Sequence, residues 1–232
     1  MKTIGLLGGM SWESTVSYYE LVNEGVKKKL GGLHSAKVVL YSVDFDEIEK
    51  LQHSGDWDST SHILSKAALN IQAGGADFLL ICTNTMHKVA DQIQDSIKIP
   101  LIHIADATAE SLVAAGINKV GLLGTRFTMS EDFYKGRLKS KFGLEVLVPS
   151  KKDQDIVHDI IYSELCMGKV KNESRNSVLT IIDSLGQLGA EAVILGCTEI
   201  ALLVQQEHTK MLLFDTTTIH AAKAVKLALS EV

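Results

Sequence analysis

The residues of this sequence best suited to chemistry are its cysteines, because a thiolate is both a good nucleophile and a usable base. They are Cys82, Cys166 and Cys197. Cys197 follows an apolar run and opens a polar turn with Thr198 and Glu199, ahead of a helical pattern. Free amides at a helix N-terminus lower a thiol pKa from its ordinary value of about 8.5. The sequence therefore predicts an activated thiolate at Cys197, with Glu199 assisting proton transfer or capping the helix.

The other two cysteines fit the commoner role of a buried, inert thiol. Cys166 lies at a helix end between Leu165 and Met167, and Cys82 is the last residue of an apolar strand. An odd number of cysteines without a Cys-x-x-Cys pair is not a disulfide framework. Free thiols and a reducing, cytoplasmic location are expected.

Two more turns place polar side chains behind apolar runs. One is Thr83-Asn84-Thr85, with His87 close behind, which either assists proton transfer or caps the next helix. The other is the loop over residues 8–15, whose amides and hydroxyls (Ser11 or Thr15) suit a carboxylate, although a tight turn with Ser11 as N-cap explains it equally well. Neither a Gly-x-Gly-x-x-Gly fingerprint nor a P-loop is present, so dinucleotide or ATP binding is not supported.

The composition excludes several classes of protein. The 232 residues are 46% hydrophobic and 22% charged, which is typical of a globular protein of one large or two small domains. A net charge of −5 offers no basic face for nucleic acid, and no apolar run approaches the length of a membrane span. The eight histidines lack ligand spacing, so no metal is predicted, and surface or capping roles are expected for most of them.

Short apolar runs alternate with segments of helical spacing, which is typical of βαβ units and a doubly wound α/β architecture with parallel strands. Strands are predicted at residues 2–7, 37–43, 77–82, 100–104, 119–123, 144–148, 191–196 and 210–214. Helices are predicted at residues 12–30, 57–74, 86–97, 106–116, 130–142, 151–167, 173–188 and 215–230. The first helix shows helical spacing at Trp12, Val16, Tyr19, Asn23, Val26 and Leu30.

The two halves of the chain resemble each other. The aligned pairs are residues 4–9 with 120–125, 75–84 with 189–198, and 104–108 with 213–217. Because three matches occur in the same order, with offsets of 116 and 114 residues for the first two, they indicate a duplicated half-chain. Two such halves are expected to share a crevice at the C-terminal ends of their strands, where open α/β sheets bind ligands. In this alignment Thr83 falls opposite Cys197.

Three motifs together make the sequence similar to the aspartate/glutamate racemase family over nearly the whole chain. They are IGLLGGMSWEST at residues 4–15, TNTMH at 83–87 and GCTEI at 196–200. The resemblance implies two Rossmann-like α/β domains related by a pseudo-twofold axis, with the active site in the crevice between them. The expected domains are residues 1–99 plus 213–232, with the C-terminal helix completing the first domain, and residues 100–212.

The resemblance also implies the chemistry. Such an enzyme is a homodimer that racemises a small amino acid, aspartate or glutamate, without pyridoxal phosphate, another cofactor or a metal. Two cysteines, one per domain, face the α-carbon from opposite sides. One thiolate removes the α-proton, and the other thiol returns a proton on the far face.

The chain departs from the family pattern at one position, where Thr83 replaces the first cysteine. Cys82 is a poor substitute, because a shift of one residue along a strand turns the side chain to the other face. A threonine hydroxyl is a far weaker base than a thiolate, which leaves Cys197 as the competent base. In the family the second-domain cysteine serves the L-enantiomer. The prediction is therefore an enzyme that deprotonates L-substrates well and D-substrates poorly.

The matching motifs also suggest a substrate-binding set. Its members are Met10, Gln52, Asn84, Thr85, Thr125 and Thr198. A side-chain carboxylate usually binds an arginine, yet the segment over residues 43–52 contains none. Gln52, Lys50 or Arg126 are candidates for that contact, and acidic substrates remain the leading prediction.

Three alternatives stay open at this stage. The first is a racemase of a neutral amino acid. The second is a covalent isomerase or hydrolase that uses Cys197 as its nucleophile, which needs a histidine base and an oxyanion hole. The third is a non-catalytic protein that binds an amino acid between two lobes.

Overall fold

The computed structural model describes residues 1–230, which form two compact units. Unit 1 comprises residues 1–104 together with the segment from His220 onward, and unit 2 comprises residues 105–219. The predicted domain boundaries, after residues 99 and 212, lie slightly earlier in the chain. The last two residues of the predicted range 213–232 lie outside the described residues. The assignment of these boundaries to domains stays a prediction.

Unit 1 is built on a three-stranded parallel sheet in the order β2–β1–β3. Its strands are β1 (Ile4–Gly8), β2 (Val38–Ser42) and β3 (Phe78–Ile81). Every residue of β1 and β3 is buried, as expected for strands covered on both faces, whereas β2 is largely exposed at the sheet edge. The first helices are α1 (Trp12–Leu30), α2 (Phe45–Ser54), α3 (Trp57–Ala73) and α4 (Ala90–Ser96).

Unit 2 contains a four-stranded parallel sheet in the order β5–β4–β6–β7. Its strands are β4 (Lys119–Gly124), β5 (Glu145–Leu147), β6 (Ala192–Gly196) and β7 (Leu212–Asp215). The remaining helices are α5 (Ile104–Ala114), α6 (Arg126–Ser130), α7 (Asp132–Phe142), α8 (Lys151–Ser163), α9 (Asn172–Gln187), α10 (Ile200–Leu203) and α11 (Thr216–Leu229). The α5 helix begins at the last residue of the first segment of unit 1, and α11 begins in unit 2 and ends in unit 1. The predicted α/β fold with parallel sheets is confirmed.

The two sheets repeat one arrangement. The succession β2–β1–β3 of unit 1 returns in unit 2 as β5–β4–β6. In unit 1 Leu7 pairs with Ile81, and in unit 2 Leu123 pairs with Leu195. These are the residues that the internal repeat aligns, so corresponding strands are paired in the same register. The residues that follow β3 and β6 therefore occupy equivalent positions in their own units.

The segment predicted as a strand at residues 100–104 is not one. Leu101 forms an isolated bridge with Leu79, whose amide donates to the carbonyl of Pro100 and whose carbonyl accepts from the amide of Ile102. The chain then enters α5 at Ile104. Two hydrogen bonds to one residue are too few to make a regular strand.

Several helices also differ from the prediction. The helix α2 was not predicted, although Asp44 accepts a hydrogen bond at its start and Gly55 ends it in a left-handed conformation. The helix predicted at residues 86–97 begins as a 3-10 helix, Thr85–Val89, and continues as α4. The prediction at 130–142 is replaced by α6 and α7, and that at 151–167 by α8 and a 3-10 helix, Leu165–Met167.

The first helix presents an unexpected face to solvent. Ser14, Thr15, Tyr18, Val22 and Val26 are its buried residues. Of the apolar residues at helical spacing, only Val26 is among these. The other four are exposed, and we call them the apolar stripe of α1: Trp12 (64% exposed), Val16 (44%), Tyr19 (52%) and Leu30 (46%). At 19 residues α1 is the longest described helix, yet no helix within residues 1–230 is long and apolar enough to cross a membrane.

Candidate active site

The turn after β3 presents Thr83 at its surface. Residues 82–84 leave the strand, and the 3-10 helix Thr85–Val89 follows directly. Asn84 and Thr85 are buried, whereas Thr83 is half-buried and is the one residue within 82–87 that retains appreciable exposure. The predicted group at this position is therefore accessible, and its neighbours are part of the packed interior.

His87 supports this turn from within. Its Nδ1 lies 2.8 Å from the carbonyl oxygen of Thr83, and its Nε2 lies 3.1 Å from the amide nitrogen of Ile104. Because a carbonyl accepts and an amide donates, Nδ1 carries the proton and Nε2 accepts. Burial, together with the neighbouring His103 and His220, holds the pKa of His87 well below its ordinary value. The contact with the first residue of α5 favours the capping role over proton transfer.

Cys82 is separated from Thr83 by the alternation of the strand. Its side chain is buried with Leu80 and Tyr18 in one apolar cluster, whereas Ile81 belongs to a cluster on the opposite face of the sheet. Burial raises the pKa of the Cys82 thiol far above its ordinary value. This thiol is neutral and packed, as expected for an inert cysteine.

The turn after β6 assembles three polar groups around one carboxylate oxygen. The Cys197 thiol donates to Oε2 of Glu199 at 2.8 Å, and the Thr198 hydroxyl donates to the same oxygen at 2.7 Å. Cys197 and Glu199 are both buried. A thiol and a carboxylate are thus within hydrogen-bond distance, which is the geometry required for a proton to pass between them.

This geometry corrects the expected pKa of Cys197. Burial, followed by the negative charge of Glu199 and a smaller contribution from Cys166, raises the pKa of the Cys197 thiol well above its ordinary value. The sequence-based expectation of a lowered pKa relied on the amides of the following helix. That helix, α10, has only four residues, so its dipole is too small to outweigh the carboxylate. The free protein therefore holds Cys197 as a neutral thiol.

Each of these turns has a glycine turn beside it, at the end of the neighbouring strand. In unit 1, Gly9 adopts a φ of +92°, and a Cβ there would lie 2.2 Å from the carbonyl oxygen of Val43. In unit 2, Thr125 caps α6 by accepting from the amide of Thr128. Gly124 pairs in register with Gly196, so Thr125 and Cys197 follow adjacent strand ends.

The hydroxyls of the first glycine turn are used within the loop itself. The Thr15 hydroxyl accepts from the amide of Gly9 at 2.8 Å and donates to the carbonyl of Ser11 at 3.0 Å. The Ser11 side chain accepts from the amide of Ser14 and caps α1. The N-cap interpretation of Ser11 is therefore confirmed, and the Thr15 proton is engaged with the backbone.

The predicted binding residues gather in two groups, one in each unit. In unit 1, Met10 packs in one apolar cluster with Met86 and with Ile48 of α2. The same helix carries Gln52, which is 2% exposed. In unit 2, Thr198 and Thr125 flank Cys197 as described above. The missed helix α2 is what carries Gln52 into the interior of unit 1.

The two cationic candidates for a substrate side-chain carboxylate pair with surface acids instead. Lys50 lies 2.6 Å from Asp46 along the exposed side of α2. The Arg126 guanidinium contacts Asp155 at 3.0 Å, with nearly half of its side chain exposed. Both arrangements are typical of surface ion pairs.

Half of the histidine side chains are buried. Four of the eight are buried: His87, His103, His158 and His220. Two of these have the predicted capping role, since His87 accepts from the first amide of α5 and His158 from the first amide of α6. Within residues 1–230, no group of three or more His, Cys, Asp or Glu side chains is placed to hold a metal ion.

The fold and these two turns define a class of protein. The sequence pattern of the Asp/Glu/hydantoin racemase family matches residues 7–224, and the chain belongs to this family. Racemases are isomerases, so the predicted enzyme class is confirmed.

The chain is similar to several particular members. A solved structure of a provisionally assigned Asp/Glu racemase from Yersinia pestis is 52% identical, with a TM-score of 0.93 over 99% of this chain and 100% of that one. An aspartate racemase homologue from Pyrococcus horikoshii OT3 is 35% identical, with a TM-score of 0.86 over 99% and 100% of the two chains. The broad specificity amino-acid racemase RacX of Bacillus subtilis (strain 168) is 24% identical over 98% of both chains.

Proposed function

We propose that this protein is a cofactor-independent amino-acid racemase that acts on aspartate or glutamate and deprotonates the L-enantiomer far faster than the D-enantiomer. The observation that carries the proposal is the Cys197–Glu199 hydrogen bond at the end of β6, together with Thr83 at the equivalent strand end of unit 1. One unit thus offers a thiol beside a carboxylate, and the other offers a hydroxyl.

The proposed reaction begins with activation of Cys197. Its proton passes along the 2.8 Å hydrogen bond to Glu199, and the ammonium group of a bound substrate favours the resulting thiolate. The thiolate then removes the α-proton of the L-substrate. The Thr198 hydroxyl, which donates to the same carboxylate oxygen, holds Glu199 in place for this transfer.

The fate of the carbanion sets the stereochemical outcome. Return of a proton from Cys197 regenerates the L-substrate with exchange of its α-hydrogen. Delivery of a proton to the opposite face of the carbanion depends on Thr83, whose hydroxyl is a much weaker acid than a thiol. We therefore expect the α-hydrogen of L-substrates to exchange faster than the L-enantiomer is converted to the D-enantiomer. The equilibrium itself favours neither enantiomer, so the preference is kinetic.

The same proposal assigns the substrate contacts. Asn84 and Thr85 in unit 1, with Thr198 in unit 2, bind the α-carboxylate and ammonium groups. Met10, Gln52 and Thr125 complete the pocket. The Gln52 amide is the proposed hydrogen-bond donor to a substrate side-chain carboxylate.

The test is proton NMR in heavy water with a panel of L- and D-amino acids. The proposal predicts loss of the α-proton signal from L-aspartate or L-glutamate before any other member of the panel. A neutral amino acid is the main alternative substrate, since the similar Bacillus protein is named a broad specificity racemase, and a faster signal loss from a neutral amino acid would establish it. A covalent adduct on Cys197 detected by mass spectrometry would instead support the hydrolase alternative. Substrate binding without any exchange would indicate a binding protein.

We also propose a cytoplasmic homodimer that is formed through the apolar stripe of α1. All three cysteines are free, which suits a reducing compartment. Along α1, Glu20 and Glu24 precede a basic end, Lys27 to Lys29. Two α1 helices packed antiparallel bury the stripe.

Sedimentation velocity tests this interface. We expect Tyr19→Glu to convert a wild-type dimer to monomer, because it places a charge in the buried stripe. The matched control is Leu188→Glu, which changes a residue of similar exposure in unit 2 and leaves the dimer intact. A monomeric wild type, or a dimer that survives Tyr19→Glu, would remove the proposal.

A further inference from the structure

A cluster of three buried histidines lies beneath the Thr83 turn, and the proposed reaction uses none of them. The ring centroids of His87 and His103 are 4.5 Å apart, and those of His87 and His220 are 6.0 Å apart. His220 donates from Nε2 to the carbonyl of Ile102 at 2.7 Å and accepts at Nδ1 from the Tyr18 hydroxyl at 2.8 Å.

His87 contacts the Thr83 turn directly, through the hydrogen bond from its Nδ1 to the Thr83 carbonyl. It joins the Thr83 carbonyl to the amide of Ile104, residues separated by more than twenty positions in the chain. His220 binds the adjoining Ile102 but makes its other hydrogen bond to Tyr18 on α1. The two histidines thus share burial and neighbours, and they differ in whether they hold Thr83.

We propose that His87 is the positioning residue of the Thr83 turn, and that its neutral Nδ1–H form sets the geometry from which residue 83 acts on the substrate. This inference rests on the proposed function, because it concerns Thr83, the group that is proposed to act on the D-enantiomer. The carbonyl and the side chain of Thr83 share one Cα, so a restrained carbonyl restrains the direction of the side chain. A misplacement of about 1 Å in a reacting group costs about 100-fold in rate.

The first experiment is independent of catalysis. Long-range nitrogen–proton NMR of the imidazoles distinguishes the two neutral tautomers. We expect His87 to show a protonated Nδ1 and a bare Nε2, unchanged between pH 8 and pH 5.5. A protonated Nε2, or titration of His87 within that range, would overturn the proposal even if the enzyme proves to be a racemase.

The second experiment uses the Thr83→Cys background, in which a thiol at residue 83 makes D-side exchange measurable. The readout is the ratio of α-hydrogen exchange from the D-substrate to that from the L-substrate, since loss of folded enzyme lowers both rates together. We expect His87→Ala to lower the ratio about 10-fold to 100-fold. His87→Asn, whose amide N–H takes the place of Nδ1–H, restores most of it.

His220→Ala is the matched control. It removes two hydrogen bonds from the same buried cluster, and none of them reaches Thr83. We expect it to lower the thermal midpoint and to leave the D-to-L ratio within about twofold of the parent. An equal fall of the ratio in His220→Ala, or an unchanged ratio in His87→Ala, would reduce His87 to a purely structural residue. Absence of exchange from either enantiomer in the parent would defeat the proposed function and leave the tautomer result standing.

Discussion

The turns after β3 and β6 occupy equivalent positions in two similar sheets, yet they are built differently. The β6 turn holds a buried thiol against a buried carboxylate, with a neighbouring hydroxyl on the same oxygen. The β3 turn exposes a hydroxyl and fastens its own backbone to a neutral histidine. The β6 turn thus brings a thiol and a carboxylate within hydrogen-bond distance, and the β3 turn is restrained through its backbone by His87.

This difference teaches that the duplication preserves geometry more strictly than chemistry. The strand pairing Leu7–Ile81 is repeated as Leu123–Leu195, so the frame that presents residue 83 is the frame that presents residue 197. Within that frame, unit 1 carries a threonine where unit 2 carries a cysteine. The following variants test how far the asymmetry extends.

The largest expected effect comes from removing the thiol of the β6 turn. Cys197→Ser replaces the base with a hydroxyl, and we expect L-side exchange to fall about 10²-fold to 10⁴-fold. The measurement is the initial rate of α-proton loss by NMR in heavy water. Cys166→Ser, in the same apolar cluster, serves as the control and should retain most activity. Comparable losses in both variants would mean that the account has the wrong base.

A gain of function in the β3 turn is expected to be nearly as large. Thr83→Cys supplies a thiol on the deficient side, and we expect exchange from the D-enantiomer to rise about 100-fold. Adding Cys82→Ala to this variant controls for the adjacent buried thiol. If the gain disappears with Cys82, the group facing the substrate is not residue 83.

A moderate effect is expected from neutralising the carboxylate. Glu199→Gln removes the negative charge that raises the pKa of Cys197, so the thiol pKa should fall while L-side exchange drops about tenfold. Thiolate absorbance against pH measures the first change and NMR exchange the second. The exposed Glu207→Gln provides a control that alters neither. A rise of the thiol pKa in Glu199→Gln would contradict the assigned electrostatics.

The smallest effect concerns His220 in the buried histidine cluster. Burial lowers the pKa of His220 to about 4, whereas an unfolded chain has an ordinary histidine pKa of about 6.5. Between these values the unfolded state binds more protons, so stability falls as the pH falls, by up to about 3 kcal/mol. Urea denaturation at pH 7 and pH 4.5 measures this slope. His220→Asn should flatten it, and the exposed His53→Asn should not.

Much of this comparison was accessible from the sequence. The internal repeat placed Thr83 opposite Cys197, and the strand registers agree with that alignment. Local signals also sufficed for α1, whose start at the Ser11 cap and end at Gly31 match the prediction. These features depend on short-range patterns, which a sequence displays directly.

The remaining features depend on contacts between distant residues. The raised pKa of Cys197 follows from the burial of the thiol and from the neighbouring Glu199 carboxylate, and the four-residue helix α10 is too short to oppose them. The apolar spacing of Trp12, Val16 and Tyr19 gave no sign that this face is exposed in the single chain. The hydrogen bond from His87 to Ile104 joins segments whose proximity only the fold creates.

The most direct test of the asymmetry is one exchange measurement on the unmodified enzyme. L- and D-glutamate are incubated separately in heavy water with equal enzyme, and the initial rates of α-proton loss are compared by NMR, with aspartate as a parallel pair. The account predicts fast loss from the L-enantiomer and a rate from the D-enantiomer lower by about 100-fold. Equal rates, or faster loss from the D-enantiomer, would contradict the assignment of Cys197 as the base and Thr83 as the weak partner.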